Sequence, residues 1–178
     1  MEELEDPTER LKETMEAAEE KREQWTLHVA LSTAIIAVLA AIAGLYGNHH
    51  ANEAMIDQVK SSDKWAFYQA KSIKSEINAS TVQMLAAVGK PLPPENQDKA
   101  KQYEDDKAKI KAEAEEEENS SESHMRQHII FSRSVTIFQI AIAISAIAIL
   151  TRKKLMWYAS MLLSIAGCYF LVQGFLTS

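Results

Sequence analysis

Apolar positions in this chain are gathered into three long runs instead of recurring at the spacing of a globular core. Residues 27–46, 134–150 and 155–176 carry no Asp, Glu, Lys or Arg. Twenty residues, Leu27 to Tyr46, reach about 30 Å as a helix, one hydrocarbon thickness. The pattern predicts an all-α membrane protein with three transmembrane helices, over 25–46, 129–150 and 155–176. A short basic loop, 151–154, joins the last two. The long acidic leader before the first run is unlike the short basic leader of a signal peptide.

Residues 1–24 read as an acidic amphipathic N-terminal helix. Asp6-Pro7-Thr8-Glu9 supplies a cap residue, a first-turn proline and an early glutamate. Leu4, Leu11, Met15, Ala18 and Trp25 form its narrow stripe, expected to run on into the first span.

Residues 47–128 read as an extramembrane helical hairpin, long and antiparallel, with its tip at 89–94. On the outgoing arm Met55, Val59, Ser62, Ala66, Ala70, Ile73, Ile77, Thr81, Met84 and Val88 step by 4, 3, 4, 4, 3, 4, 4, 3, 4. This eleven-residue period favours straight or slightly right-handed packing. Gly89 and the prolines of Pro91-Leu92-Pro93-Pro94 stop the arm. The returning arm is rich in helix formers, but its stripe is poor: Tyr103, Ile110, Ala114 and Met125. The run Glu115–Glu118 followed by Asn119-Ser120-Ser121 is expected to interrupt it. With Tyr46 opposite Ile129, paired residue numbers should sum to about 175. So little apolar surface predicts self-association over the Met55–Val88 stripe.

Composition sharpens this picture only where it is uneven. Hydrophobic residues are 47% and charged residues 25% of the 178, and the net charge is −6. That balance lacks the basic patch nucleic acid requires, so no nucleic-acid partner is expected. A single cysteine, Cys168, leaves the redox compartment open. Basic residues near the spans lie mostly on one side: Lys12, Lys21, Arg22, Arg152, Lys153 and Lys154 against Lys60 and Arg126. By the positive-inside rule the N-terminus is cytoplasmic and 47–128 lies outside, in the periplasm of a Gram-negative cell.

The candidate chemistry is sparse. His49, His50, His124 and His128 gather at one membrane boundary. His124 and His128 are i, i+4 neighbours, a spacing suited to a zinc, copper or nickel ion, with Glu53 and Glu122 near enough to orient an imidazole. The bland reading, amphipathic histidines at headgroup level, is favoured over a transition-metal cofactor. Glu115–Glu118 lacks the turned loop that calcium requires and reads as a solvated face. Arg133 is one turn inside the second span, where snorkelling is favoured over an ion pathway. Gln139, Tyr169 and Gln173 are candidate hydrogen-bonding glue between spans. Ala30, Ala34, Ala37, Ala41 and Gly44 form a seam for close helix approach, an idea repeated at Ser160 and Ser164. No catalytic constellation or phosphate loop appears, so no enzyme is expected.

The segment Asp63-Lys64-Trp65-Ala66-Phe67-Tyr68-Gln69-Ala70-Lys71-Ser72-Ile73-Lys74, with Asn48-His49-His50-Ala51-Asn52-Glu53-Ala54 before it, resembles the signature of a family of small bacterial membrane proteins. That family is domain of unknown function 4337. The resemblance extends over essentially the whole chain. It implies a bacterial inner-membrane location and carries no activity to transfer.

Within that segment Trp65 and Tyr68 share a helix face, with Lys71 and Ser72 next along it. Two readings stand equally: a contact patch between subunits or with a partner, and packing within the hairpin. The leading functional expectation is a homo-oligomeric scaffold whose interface holds Trp65, Tyr68, Lys71, Met55, Val59, Ile73, Ile77 and Met84. Its partners are the lipid bilayer, further copies of itself, and another membrane or periplasmic protein. The alternative is a subunit of an oligomeric ion or small-solute channel or transporter, with Arg133, Gln139 and the histidines near its mouth.

Overall fold

The computed structural model describes residues 7–91 and 94–177. It is all-α. Helix α1 spans Pro7–Ala87, α2 spans Pro94–Thr151 and α3 spans Lys154–Leu176. Each contains a stretch long and apolar enough to cross a membrane. Leu4 and the cap residue Asp6 lie outside the described residues, as does Leu92 with Pro93.

Helix α1 ends because Gly89 adopts φ +67°, where a side chain would be strained. Its N–H donates to the Ala86 carbonyl and that of Lys90 to the Leu85 carbonyl, which satisfies the last turn in the Schellman manner. Between α2 and α3 the left-handed residue is not glycine but Arg152, at φ +55°. Helix α2 is continuous through Glu115–Ser121, contrary to the expected interruption. Ser120 and Ser121 face α1 and hydrogen-bond across to it, so their hydroxyls do not compete for their own backbone.

The chain divides into two compact units, one of residues 1–47 with 129–178 and the other of residues 48–128. In the three-helix unit the core gathers Ile36 and Ala43 of α1, Phe131, Phe138 and Ala141 of α2, and Leu171 of α3. The buried face of α3 is Ser160, Ser164, Gly167, Leu171 and Gly174. The rings of Phe138 and Phe131 rest where side chains of Gly167 and Gly174 would be. A Cβ there would lie 2.6 Å and 2.7 Å from ring carbons. Small residues thus form a trench on α3, and two phenylalanines of α2 fill it.

Hydroxyls tie the same unit together. Ser134 donates to the Gly167 carbonyl at 2.9 Å and Ser160 to the Ala141 carbonyl at 2.7 Å. Thr33 and Ser145 share a hydrogen bond, and Trp157 Nε1 donates to Ser32 at 3.1 Å. Such bonds contribute about 0.6 kcal/mol each in an apolar medium. Serine and threonine thus do what was expected of glutamine: Gln139 and Tyr169 are exposed, and Gln173 is half-buried. The alanine seam also faces outward within this unit. Ala30, Ala34, Ala37 and Ala41 are exposed, while Gly44 lies beside Val135; the buried face of α1 is Val29, Ile36 and Ala43.

Candidate functional site

In the hairpin unit the two arms meet through small and polar side chains. Ser61 donates to the Ala114 carbonyl at 3.1 Å, and Ser121 donates to the Ala54 carbonyl at 2.8 Å. Both pairs sum to 175, the register set by the chain's own spacing. The four residues are buried, and with Ile110 they form a thin seam. Charged pairs flank it. Lys64 bonds Glu113, Lys71 bonds Asp106 at 2.6 Å, and Lys60 reaches both Asp57 at 2.9 Å and Glu117 at 3.6 Å.

This inward face determines what is left outside. Met55, Val59, Ile73, Ile77, Met84 and Val88 are between 56% and 69% exposed. The apolar stripe of the outgoing arm is therefore turned away from the returning arm. Ile73, Ile77 and Met84 border a shallow groove of about 430 Å³ on that outer face. An isolated hairpin would ordinarily bury its isoleucines and expose its lysines. On the outgoing arm the isoleucines of the stripe face outward instead, and Ala54 and Ser61 line the seam, where small side chains let the arms approach closely.

The aromatic segment belongs to the inner side. Trp65 and Tyr68 are half-buried and meet edge to face, with centroids 5.6 Å apart. Lys71 pairs with Asp106, and its Nζ lies 5.7 Å from the centroids of Phe67 and of Tyr103. Of the two readings of this segment, the geometry is that of packing within the hairpin. Lys71 meets Phe67 and Tyr103 instead of Trp65 and Tyr68. Phe67, 52% exposed, is the aromatic ring that joins the outer surface. On the returning arm Ile110 and Ala114 are buried and Tyr103 half-buried. Met125 is 45% exposed, because the neighbouring His124 takes the inward position.

At the base of the hairpin unit two of the four candidate histidines come together. The Nδ1 atoms of His50 and His124 are 3.1 Å apart, and their rings stack with centroids at 5.3 Å. One nitrogen must donate and the other accept, so both rings cannot be imidazolium while this contact persists. The His50 pKa is held below its usual 6.5, first by burial and then by repulsion from His124 and His49, with Glu53 opposing. Buried Asp57 stands 4.0 Å from His124 Nε2. Its pKa is lowered chiefly by hydrogen bonds from Lys60 and Ser120. His49 is exposed and its ring is 5.4 Å from that of His50; His128 is half-buried. Among the described residues no three of His, Cys, Asp or Glu converge as metal ligands. Two imidazole nitrogens fall short of the four ligands of a structural zinc site.

Arg133 and Gln139 are both exposed on α2. The buried polar side chains of α2 in the three-helix unit are Ser134 and Ser145. Sequence reading had no pairing signal for these serines, since serine is common on both faces of apolar helices. Gly167 and Gly174 continue the spacing of Ser160 and Ser164, and that small-residue periodicity is the sequence signal for the trench.

No curated protein and no solved structure gives a significant match to this chain. A family model described as Domain of unknown function (DUF4337) matches residues 25–177. That match takes in all of the described chain except residues 7–24, and the chain belongs to the DUF4337 family.

Proposed function

We propose that this protein is a homo-oligomeric membrane scaffold that displays its helical hairpin for contact with further copies of itself. The observation that carries this reading is the outward apolar face of the hairpin unit, Met55 to Val88. Its eleven-residue period repeats for three turns of the pattern, so two copies can present equivalent positions to each other along the whole face. In this reading lipid covers the exposed apolar side chains of the three spans, and further copies cover those of the hairpin.

In this reading the spans cross a bacterial inner membrane, with the N-terminus cytoplasmic and residues 47–128 periplasmic. The excess of Lys and Arg beside the first span and in 151–154 supports that orientation. Catalysis is not part of the reading. A channel has less support. The buried hydroxyls of Ser134, Ser145 and Ser160 are engaged in bonds between helices, which leaves them unavailable as a polar pore lining.

The test is the mass of the full chain in detergent, measured by light scattering with the detergent subtracted. The expected value is two or more times the 19.9 kDa protomer. A monomer at the working concentration, with no cross-linking through cysteine placed at Ile77, overturns the scaffold.

A further inference from the structure

A cleft in the three-helix unit lies at the end opposite Phe175 of α3. It is lined by Lys21, Arg22 and Trp25 of α1, Ile149 of α2, and Arg152 and Lys154 at the α2–α3 turn. Its volume is about 430 Å³. The chain carries a net charge of −6, yet among the described residues four cations and no acid line this space. Among the described residues none of these four cations has an ion-pair partner. Lys60, Lys64, Lys71 and Lys107 of the hairpin unit all have one. Trp25 adds an aromatic ring to the lining, half-buried at the level of the four cations. Arg152, moreover, is held at φ +55° where glycine would sit without strain, so the turn retains a cation at a conformational cost.

We propose that this cleft binds a phosphate-ester anion carried by the headgroup of an anionic phospholipid. The cations supply charge for the phosphate, and the Trp25 ring, which lines the cleft, supplies an amphipathic surface at the level of a headgroup. Ile149 and the charge-free run from Leu27 supply the apolar side along which acyl chains extend. Charge and grease meet here at one level, as a lipid headgroup requires and a soluble phosphate does not. The inference rests on the membrane reading of the three spans, and not on the oligomer.

The experiment is native mass spectrometry of the full chain titrated with phosphatidylglycerol and with phosphatidylcholine of identical acyl chains. Phosphatidylglycerol should be retained on the order of tenfold better, and Arg22→Gln with Arg152→Gln should erase that preference. Lys153→Gln removes the same charge from a residue that does not line the cleft, and should leave the preference intact. Trp25→Ala removes the ring that lines the cleft, and should reduce retention severalfold. Lys154→Gln provides a milder reading should the double variant lose helix content by circular dichroism. Equal retention of the two lipids overturns the proposal, as does a Lys153→Gln loss equal to that of the double variant. Displacement by inorganic phosphate overturns the lipid assignment in favour of a soluble anion. Carbonate extraction separates this from the membrane reading. Release of the chain from membranes sinks that reading, whereas a chain that stays with the bilayer and retains both lipids equally sinks only the site.

Discussion

The two units solve helix packing with opposite chemistry. In the three-helix unit large rings enter a trench of small residues: Phe138 over Gly167 and Phe131 over Gly174. Tyr46 and Phe175 complete that cluster, with Phe175 4.7 Å from Tyr46 and 5.3 Å from Phe131 by centroid. In the hairpin unit the large aliphatic side chains of the outgoing arm's stripe stay outside, and the arms are joined by Ser61, Ser121 and three lysine–carboxylate pairs. Exposed ion pairs add little, a median of about 0–1 kcal/mol each. The hairpin seam is therefore weak by construction. Its exposed isoleucines and methionines hold the greater reserve of burial energy, about 1.5–3 kcal/mol for each large side chain covered. Those side chains are the ones the proposed assembly would cover.

The sharpest way to break this contrast is to place charge on the outer face. Ile73→Glu with Ile77→Glu should convert the proposed assembly to monomer, since an unpaired charge buried in an interface costs several kcal/mol. The light-scattering mass should fall to that of the protomer while helix content stays constant. An unchanged mass would move the interface elsewhere.

In the three-helix unit the matching change is to fill the trench. Gly167→Leu must displace the Phe138 ring, and overpacking of this kind costs about 1–3 kcal/mol. Thermal unfolding in detergent should show a clear drop in Tm. Gly44→Ala is the control. Its added Cβ meets Val135 Cγ2 at 3.9 Å, an ordinary contact, so Tm should barely move.

Smaller still is the effect of one serine. Ser121→Ala removes the bond to the Ala54 carbonyl and should cost about 1 kcal/mol. Faster amide exchange on the facing stretch of α1, with none in α3, would show that the seam is local to the hairpin unit. Equal change in both would contradict it.

The mildest prediction concerns pH. Because His50 is held below 6.5, its packed form binds a proton less readily than the unfolded chain. Its contact with His124 is fully present above that value and weakens as pH falls from about 6.5. Asp57 behaves differently: its pKa is depressed from 3.8, so its contribution is lost only as pH falls below that value. The thermal midpoint should therefore decline from about pH 7 to about pH 5, and His50→Gln should flatten that decline. A slope that survives His50→Gln would assign it to another group.

The sequence carried the architecture because each of its signals is local. Charge-free runs marked the three apolar segments. Gly89 with the prolines marked the reversal, and the distance between Tyr46 and Ile129 set the hairpin register near 175. Local signals misled where two residue types fit two partners. Ser120 and Ser121 read as a helix break, because serine alone favours caps and turns; opposite α1 they become donors across a seam. Trp65, Tyr68 and Lys71 share a face under either reading. Only the position of the returning arm turns that face inward.

What the amino-acid order determined is which residues are helical, where the chain reverses, and which positions share a face, since helical period and backbone conformation depend on near neighbours. What the tertiary structure decided is which of two competing faces is covered. The apolar stripe of α1 offers burial, and the serine–alanine stripe offers close approach with bonds to backbone carbonyls. Sequence spacing ranks neither. The choice fell to the small face because the returning arm presents Ala114, Ser121 and carboxylates to match it, a complementarity that exists only once two distant segments lie side by side.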